Sequence, residues 1–263
     1  MPQSAQVIHT MITVLRPQDP PDCFPDPDRA CREPNGLLAI GGDLSPPRLV
    51  AAYRQGIFPW YNPGEPIMWW SPDPRAILLP AAVHVSHRLR RRMRQAPYRV
   101  SLNEAFQQVV TACAAPRKSG PGTWLVPEMQ QAYGHLHRAG FAHSIELWQD
   151  ADLVGGLYGI ALGRAFFGES MFSRVPDASK MLLAILGQQL ARRGYRLIDG
   201  QVASDHLLRM GAQLWTRERF LDELALAIAQ SPSSPLTPLD TDLLTPAGAV
   251  PDNHAPVEQE PAL

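Results

Sequence analysis

Lysine is almost missing from this chain: only Lys118 and Lys180 stand among its 24 basic residues, the rest being arginine. We read this as codon bias, because arginine excess by itself defines no partner. Cysteine is scarce as well. Cys23, Cys31 and Cys113 are odd in number and form no CxxC pair, which argues against a disulfide framework and against a structural zinc site. No stretch reaches the roughly 18 uninterrupted apolar residues of a membrane span. The opening run MPQSAQVIHTMITVLRPQDPPD has no basic segment followed by a sustained apolar one, which speaks against export. A cytoplasmic protein without a membrane partner is the expectation. Chemical signatures are missing too. No Ser or Cys occupies a nucleophile elbow, and the GGD at 41–43 and GGLYG at 155–159 are not phosphate-binding fingerprints. The eight histidines lack metal-ligand spacing, so neither a covalent nor a metal mechanism is expected.

A composition of 45% hydrophobic and 19% charged residues over 263 positions is that of a globular protein, with one large domain or two modest ones. The net charge of −1 conceals an asymmetry. Residues 231–263 carry five acidic residues and no Lys or Arg, leaving 24 basic against 20 acidic residues before them. The body of the chain is therefore mildly basic, which permits an anionic partner without demanding one. The same C-terminal segment holds seven prolines and little apolar content. Such a segment cannot bury enough surface to offset the entropy of ordering, so it is expected to be disordered.

Between the ends, start and stop signals divide the chain. Ser45 and Pro46 open a helix that Gly56 closes. Residues 57–80, dense in Pro, Trp and Gly, read as loop and short strand. A basic helix spans about 86–95, YRVSL follows as a strand, and Asn103 caps a helix through Cys113. Pro127 opens another helix that ends at Gly140. HSIELW (143–148), LVGGLYGIAL (153–162) and AFFGESMF (165–172) are three β-rich runs joined by short turns. Asp177 then caps a long helix to Arg193, YRLIDGQV (195–202) returns as a strand, and Thr216 caps a last helix. Antiparallel strands followed by helix, strand and helix give an α+β fold. We divide it into a small N-terminal domain (1–95), a larger domain (96–230) and a disordered tail (231–263).

Five groups of residues can carry chemistry. The helix SHRLRRRMRQ presents Arg88, Arg90, Arg91, Arg92 and Arg94, while Val85, Leu89 and Met93 share the face that docks on the core. The arginines suit phosphates, although the run alone favours a plain solvated face. Asp199 and Gln201 sit two apart on a predicted strand and so project from one face. A carboxylate can hold an amide there that positions a reacting amine, or it can be a satisfied structural Asp; the two readings balance. Glu169 lies among aromatics in FFGESMF and needs a partner, either a cationic substrate or simply Lys180 or Arg174. Leu183, Leu186 and Leu190 form a helical stripe that is far more often core than pocket. Trp60, Trp69, Trp70, Trp124, Tyr53 and Tyr133 either fill cores or stack on a base.

The runs REPNGLLAIGGDL (32–44), YRQGIFPWY (53–61), PIMWWSPDPRAIL (66–78), GTWLVPEM (122–129), AHSIELW (142–148), LVGGLYGIALGRAFFGESMFSR (153–174) and LIDGQV (197–202) resemble those of the bacterial leucyl/phenylalanyl-tRNA–protein transferases, in the same order. The resemblance spans about 32–215. It implies transfer of Leu or Phe, and less readily Met, from aminoacyl-tRNA to proteins beginning with Arg or Lys, which marks them for degradation through the N-degron pathway. It implies a larger domain of the GNAT-like acyltransferase fold, no cofactor and no metal, with Leu-tRNA and Phe-tRNA as partners and a monomer as the working state. By position, Asp199 and Gln201 match the catalytic pair and Glu169 the acidic residue beside the acceptor peptide. Leu157, Leu183, Leu186, Leu190 and Ile198 match the pocket for the donor side chain, although on an ideal strand Ile198 points away from Asp199. Trp60 and Trp124 match positions near the terminal adenosine of the tRNA, and the arginine helix matches the basic cluster under its acceptor stem.

This chain departs from the family pattern at Gly200, where others have Cys, at Arg209, where others have Ser, and at Ser204, where some have Asn. Leu replaces Phe at several pocket positions, and the acidic Pro-rich tail has no counterpart. Two rival readings remain. One is a non-catalytic tRNA-binding or N-degron adaptor on the same fold, which loss of Asp199 or Gln201 would have favoured; both are present. The other is an acyl-CoA-dependent N-acetyltransferase, which calls for a Gly-rich pyrophosphate loop before the helix at 177, where the chain has SRVPDAS.

Overall fold

Proline and glycine punctuate the first part of the chain into short pieces. The computed structural model describes residues 12–95, 98–115 and 125–244. Strands β1 (Thr13–Leu15) and β2 (Leu37–Gly41) are followed by helix α1 (Pro46–Arg54) and strands β3 (Phe58–Pro59) and β4 (Met68–Trp70). Pro46 starts α1 because its fixed φ suits a first turn and its missing N–H is not needed there. Gly56, at a φ of 70°, takes the left-handed turn that follows. The four strands form one sheet in the order β1-β2-β4-β3. Trp69 is buried at its centre and donates its indole N–H to the Gly41 carbonyl at 2.8 Å.

The rest of the chain builds a second, larger layer. It contains β5 (Arg75–Leu78), α2 (His87–Gln95), β6 (Tyr98–Leu102), α3 (Phe106–Ala114), α4 (Pro127–Arg138), β7 (Ala142–Gln149), β8 (Asp152–Leu162) and β9 (Ala165–Ser173). Then come α5 (Ala178–Arg192), β10 (Leu197–Asp199), α6 (Asp205–Arg209), β11 (Gln213–Trp215) and α7 (Arg217–Ile228). Seven strands pair in the order β11-β5-β10-β9-β8-β7-β6. Only β9 and β10 run parallel, with α5 as the crossover between them; the other neighbours are antiparallel. The fold is thus α+β. Its two sheets divide between Trp70 and Arg75, well before the boundary expected near 95, because β5 pairs with β10 and β11.

Strand alternation decides which side chains meet. Ile145, Leu157, Phe166 and Ile198 join Leu183 and Leu186 of α5 on one face of the large sheet. Tyr158, Phe167 and Leu197 face the other way, into a core shared with α3, α4, α7 and the small sheet. The GGLYG run serves this packing, since a Cβ on Gly155 would lie 2.7 Å from the Ala178 methyl of α5. Two local expectations are corrected. Asn103 does not cap α3: it turns at a φ of 61°, and its side chain accepts from the Ser144 N–H and contacts His143. Asp177 adjoins α5 without a capping bond; its carboxylate takes Lys180 and Arg92 instead.

The tail also differs from expectation, because residues 231–244 pack against α5. Arg193, 3% exposed, donates to the carbonyls of Pro235 and Pro238 at 2.8 and 2.6 Å and to Asp240 at 2.9 Å. Gln189 exchanges hydrogen bonds with the Asp240 backbone, both at 3.0 Å, and Leu236 is buried in the α5 cluster. The segment needs no core of its own, since it supplies the acceptors that buried groups on α5 require. The remainder of the tail, 245–263, lies outside the described residues. Truncation after Gln230 is expected to lower the melting temperature. Leu236 alone contributes about 1.5–3 kcal/mol by burial, and each kcal/mol is worth about 2–4 °C in a chain this size. Full and truncated chains melting within about 1 °C of each other in calorimetry would refute that contribution.

Candidate functional site

Strand β10 stops at Asp199 while its parallel neighbour β9 continues to Ser173, so the sheet splits. The last paired residues are Asp199 and Phe167. Two residues further on each side stand Gln201 and Glu169, in equivalent register, and they meet across the split. The Gln201 amide Nε2 donates to Glu169 Oε1 at 2.9 Å. The amide must present its nitrogen, because an ionised carboxylate can only accept.

Glu169 receives two further donors. Tyr53 of α1 donates to Oε1 at 2.8 Å, and Tyr133 of α4 donates to Oε2 at 2.5 Å. Burial pushes the Glu169 carboxyl up to about 7. Hydrogen bonds from Tyr133, Tyr53 and Gln201 pull the other way, and the charge of Asp199 adds to the rise. The phenols of Tyr53, Tyr133 and Tyr158 are pushed well above their usual value, by burial first and by the Glu169 charge second, so they remain donors. Lys180 and Arg174, the sequence candidates for pairing with Glu169, are engaged elsewhere: Lys180 with Asp177 at 2.7 Å and Arg174 with the Leu153 carbonyl at 2.9 Å.

Asp199 is fully buried, and it does not hold the Gln201 side chain. Its Oδ1 accepts the Gln201 backbone N–H at 2.8 Å, and both oxygens take the guanidinium of Arg75 on β5 at 2.9 and 2.7 Å. Gln201 is also outside the strand. It sits at a φ of 62°, where its backbone turns and its side chain swings toward Glu169. The shared-face argument therefore led to the right neighbours by the wrong geometry.

A cavity of about 440 Å³ opens beside this cluster. Leu157, Leu183, Leu186 and Ile198 line it together with Leu78, Phe166 and Met171, and Glu169, Ser170, Ser179, Asp199, Ser204 and His206 form its polar part. Ile198 belongs to the α5 face and Asp199 to the opposite one, as alternation requires, and the cavity reaches both around the end of β10. Leu190 is not part of this lining. It is fully buried in the core, lower on α5. A wider hollow of about 1080 Å³ is bounded by Tyr61, Ile67, Leu125, Glu128 and His135, and among the described residues none of the expected site residues lines it.

On α2, Arg88, Arg91 and Arg94 are exposed, while Arg90 and Arg92 are half-buried. Arg92 is committed to Asp177 at 2.6 Å and to the Pro176 carbonyl at 3.2 Å. Val85 and Leu89 are buried against the α5 cluster and Met93 packs on it. Trp60 is 44% exposed, with its ring 5.6 Å from that of Trp70. Trp124 lies outside the described residues. Tyr53 and Tyr133 carry the sequence reading of core or base-stacking aromatics, not of donors to Glu169, and Arg75 is not singled out in that reading. Arg75 left a signal: a lone arginine inside the apolar strand RAIL requires a buried partner.

A family model described as leucyl/phenylalanyl-tRNA protein transferase matches residues 77–225, and its N-terminal domain model matches 42–73. The leucyl/phenylalanyl-tRNA–protein transferase of Alkalilimnicola ehrlichii is 58% identical over 81% of this chain and 83% of its own length. The chain belongs to this transferase family. The transferase of Methylococcus capsulatus is 55% identical over 80% of this chain and 89% of its own, and that of Stutzerimonas stutzeri 52% identical over 82% and 95%. Among solved structures, a GCN5-related N-acetyltransferase from Kribbella flavida is 12% identical with a TM-score of 0.35, over 65% of this chain and 61% of that one, too distant to bear on the reaction. Membership makes the chain an aminoacyltransferase, with aminoacyl-tRNA as donor and a protein as acceptor.

The candidate site has a titration that can be measured directly. Tyr133 stabilises the ionised form of Glu169, so Tyr133→Phe is expected to move this carboxyl above its value of about 7. Carbon-detected NMR titration of side-chain carboxyls reads the shift. An unchanged or lowered midpoint would contradict the hydrogen-bond assignment.

Proposed function

We propose that this chain transfers leucine or phenylalanine, and less readily methionine, from aminoacyl-tRNA to the N-terminal Arg or Lys of acceptor proteins. The new peptide bond marks the acceptor for degradation through the N-degron pathway. The observation that carries this reading is the carboxylate of Glu169, held by three donors at the edge of an apolar cavity of about 440 Å³. An apolar wall with a few convergent polar groups suits a ligand with a leucyl or phenylalanyl side chain and a reactive ester.

The donor ester is already activated, so the enzyme has only to align an amine with a carbonyl and manage a proton. In this reading the donor side chain lies among Leu157, Leu183, Leu186 and Ile198. With Nε2 turned to Glu169, Gln201 keeps its Oε1 for the attacking amine. Ionised Glu169 draws in the cationic N-terminal residue. Attack forms the amide bond and breaks the ester, leaving the ribose hydroxyl on the tRNA. Trp60 receives the terminal adenosine, and the exposed arginines of α2 receive backbone phosphates, which position the nucleic acid without reading it.

We place the reaction in the cytoplasm, where the donor is made, and take the chain to work as a monomer. No helix among the described residues is long and apolar enough to cross a membrane.

The test is transfer by the purified protein from Leu-tRNA to a peptide beginning with Arg, followed against pH. Two groups must lose protons: Glu169, near 7, and the peptide α-amine, near ~8. Below pH 7 the logarithm of kcat/KM should therefore climb with a slope approaching 2 in the wild type, and with a slope near ~1 in Glu169→Gln. The variant should also be slower by about 10²-fold. Absence of transfer, or identical profiles in the two proteins, would refute the assignment.

A further inference from the structure

Arg75 is a fully buried cation beside the candidate site, and the reaction as described gives it no part. Its side chain is fully buried, and its guanidinium lies between the rings of Phe58 at 4.8 Å and Phe220 at 4.6 Å. Its Nε and Nη2 grip the two oxygens of Asp199 at 2.9 and 2.7 Å. The remaining nitrogen, Nη1, is buried with no hydrogen-bond partner among the described residues. A charge needed only for balance could be a lysine. A planar fork wedged between two rings and spanning both oxygens fixes the orientation of the carboxylate as well.

That orientation propagates. Asp199 Oδ1 accepts the Gln201 N–H at 2.8 Å, while the Gln201 carbonyl accepts the Ala76 N–H at 3.2 Å from the strand that carries Arg75. The peptide units on both sides of the Gln201 Cα are thereby tied, which holds the residue at a φ of 62°, a conformation side-chain-bearing residues seldom adopt. In that conformation its amide crosses the split to Glu169 at 2.9 Å. We propose that Arg75 is a positioning residue for aminoacyl transfer: its fork sets the Asp199 carboxylate, and Asp199 sets the Gln201 backbone and with it the amide at the reacting centre. Asp199 then serves as an anchor with both oxygens committed, and takes no proton from the amine. The inference rests on the proposed catalytic role of Gln201.

The experiment uses the full chain with aminoacylated adenosine as donor and an Arg-initiated peptide as acceptor. Arg75→Lys keeps the charge but cannot span both oxygens. Its kcat should fall roughly 10²-fold, the scale of a small misplacement at a reacting centre, while the KM for the donor and the Leu-to-Phe preference hold. The backbone amide proton of Gln201 should also move upfield in proton–nitrogen spectra, as its bond to the carboxylate loosens. Should Arg75→Lys fail to fold, Arg75→Met combined with Asp199→Asn removes both charges together and should show the same split between kcat and KM. Full kcat in either protein overturns the proposal, because a merely structural ion pair is rescued by either change. Parallel loss of kcat and donor affinity also overturns it, since the pair would then support the cavity as a whole. Gln201→Ala separates the two layers. Unimpaired turnover in that variant removes the catalytic reading itself, whereas a crippled Gln201→Ala beside active Arg75 variants removes only the positioning role.

Discussion

A carboxylate taken into a protein needs donors to replace the water it has lost, and the candidate site is arranged around two such carboxylates. Asp199 is met by a guanidinium fork and a backbone N–H, and Glu169 by two phenols and an amide. Their donors come from β5, α1, α4 and the turn after β10, so satisfying the two acids ties helices α1 and α4 to the large sheet. Removing one partner of a buried pair such as Arg75 and Asp199 costs about 3–5 kcal/mol, because the other charge is left uncompensated. The same constraint gives the acids different characters. Asp199 is bonded to a full positive charge. Glu169 has only neutral donors and sits near 7, able to respond to a cationic ligand.

The split between β9 and β10 converts this arrangement into a site. Where the parallel ladder ends, the backbone no longer closes the gap, and apolar side chains from β8, α5 and β10 line the space that remains. Side-chain alternation does the sorting: Leu157 and Ile198 face the cavity, and Tyr158 faces the core shared with α3 and α4. A leucyl or phenylalanyl group can thus sit against hydrocarbon while its ester lies at the boundary with Gln201. In the proposed reaction, binding of the side chain is spent on alignment, which is most of what an activated ester requires.

Much of this was legible in the sequence, and the failures share a cause. Residues close in the chain were read well. The three β-rich runs became β7, β8 and β9, and Pro127 and Thr216 opened α4 and α7 where expected. What depended on distant partners was missed. Tyr53 and Tyr133 look like core aromatics until Glu169, 116 and 36 residues away, is brought beside their hydroxyls. Arg75 and Asp199 are 124 positions apart. The period-2 rule placed Asp199 and Gln201 on one strand face, but a strand ends where its partners end, and β10 ends at Asp199. Leu190 shares the helical stripe of Leu183 and Leu186 yet lies too far along α5 to reach the cavity. The tail was judged by its own apolar content, whereas the buried groups of α5 decide whether residues 231–244 pack.

The central claim is that the donor side chain enters the cavity beside Glu169 and Gln201. A crystal structure with a non-hydrolysable phenylalanyl-adenosine analogue tests it most directly. The account predicts the phenyl ring against Leu157, Leu183, Leu186 and Ile198, with the carbonyl group within about 3.5 Å of the Gln201 side chain. A ring seated instead in the wide hollow by Tyr61 and Leu125, or a carbonyl remote from Gln201, would contradict it.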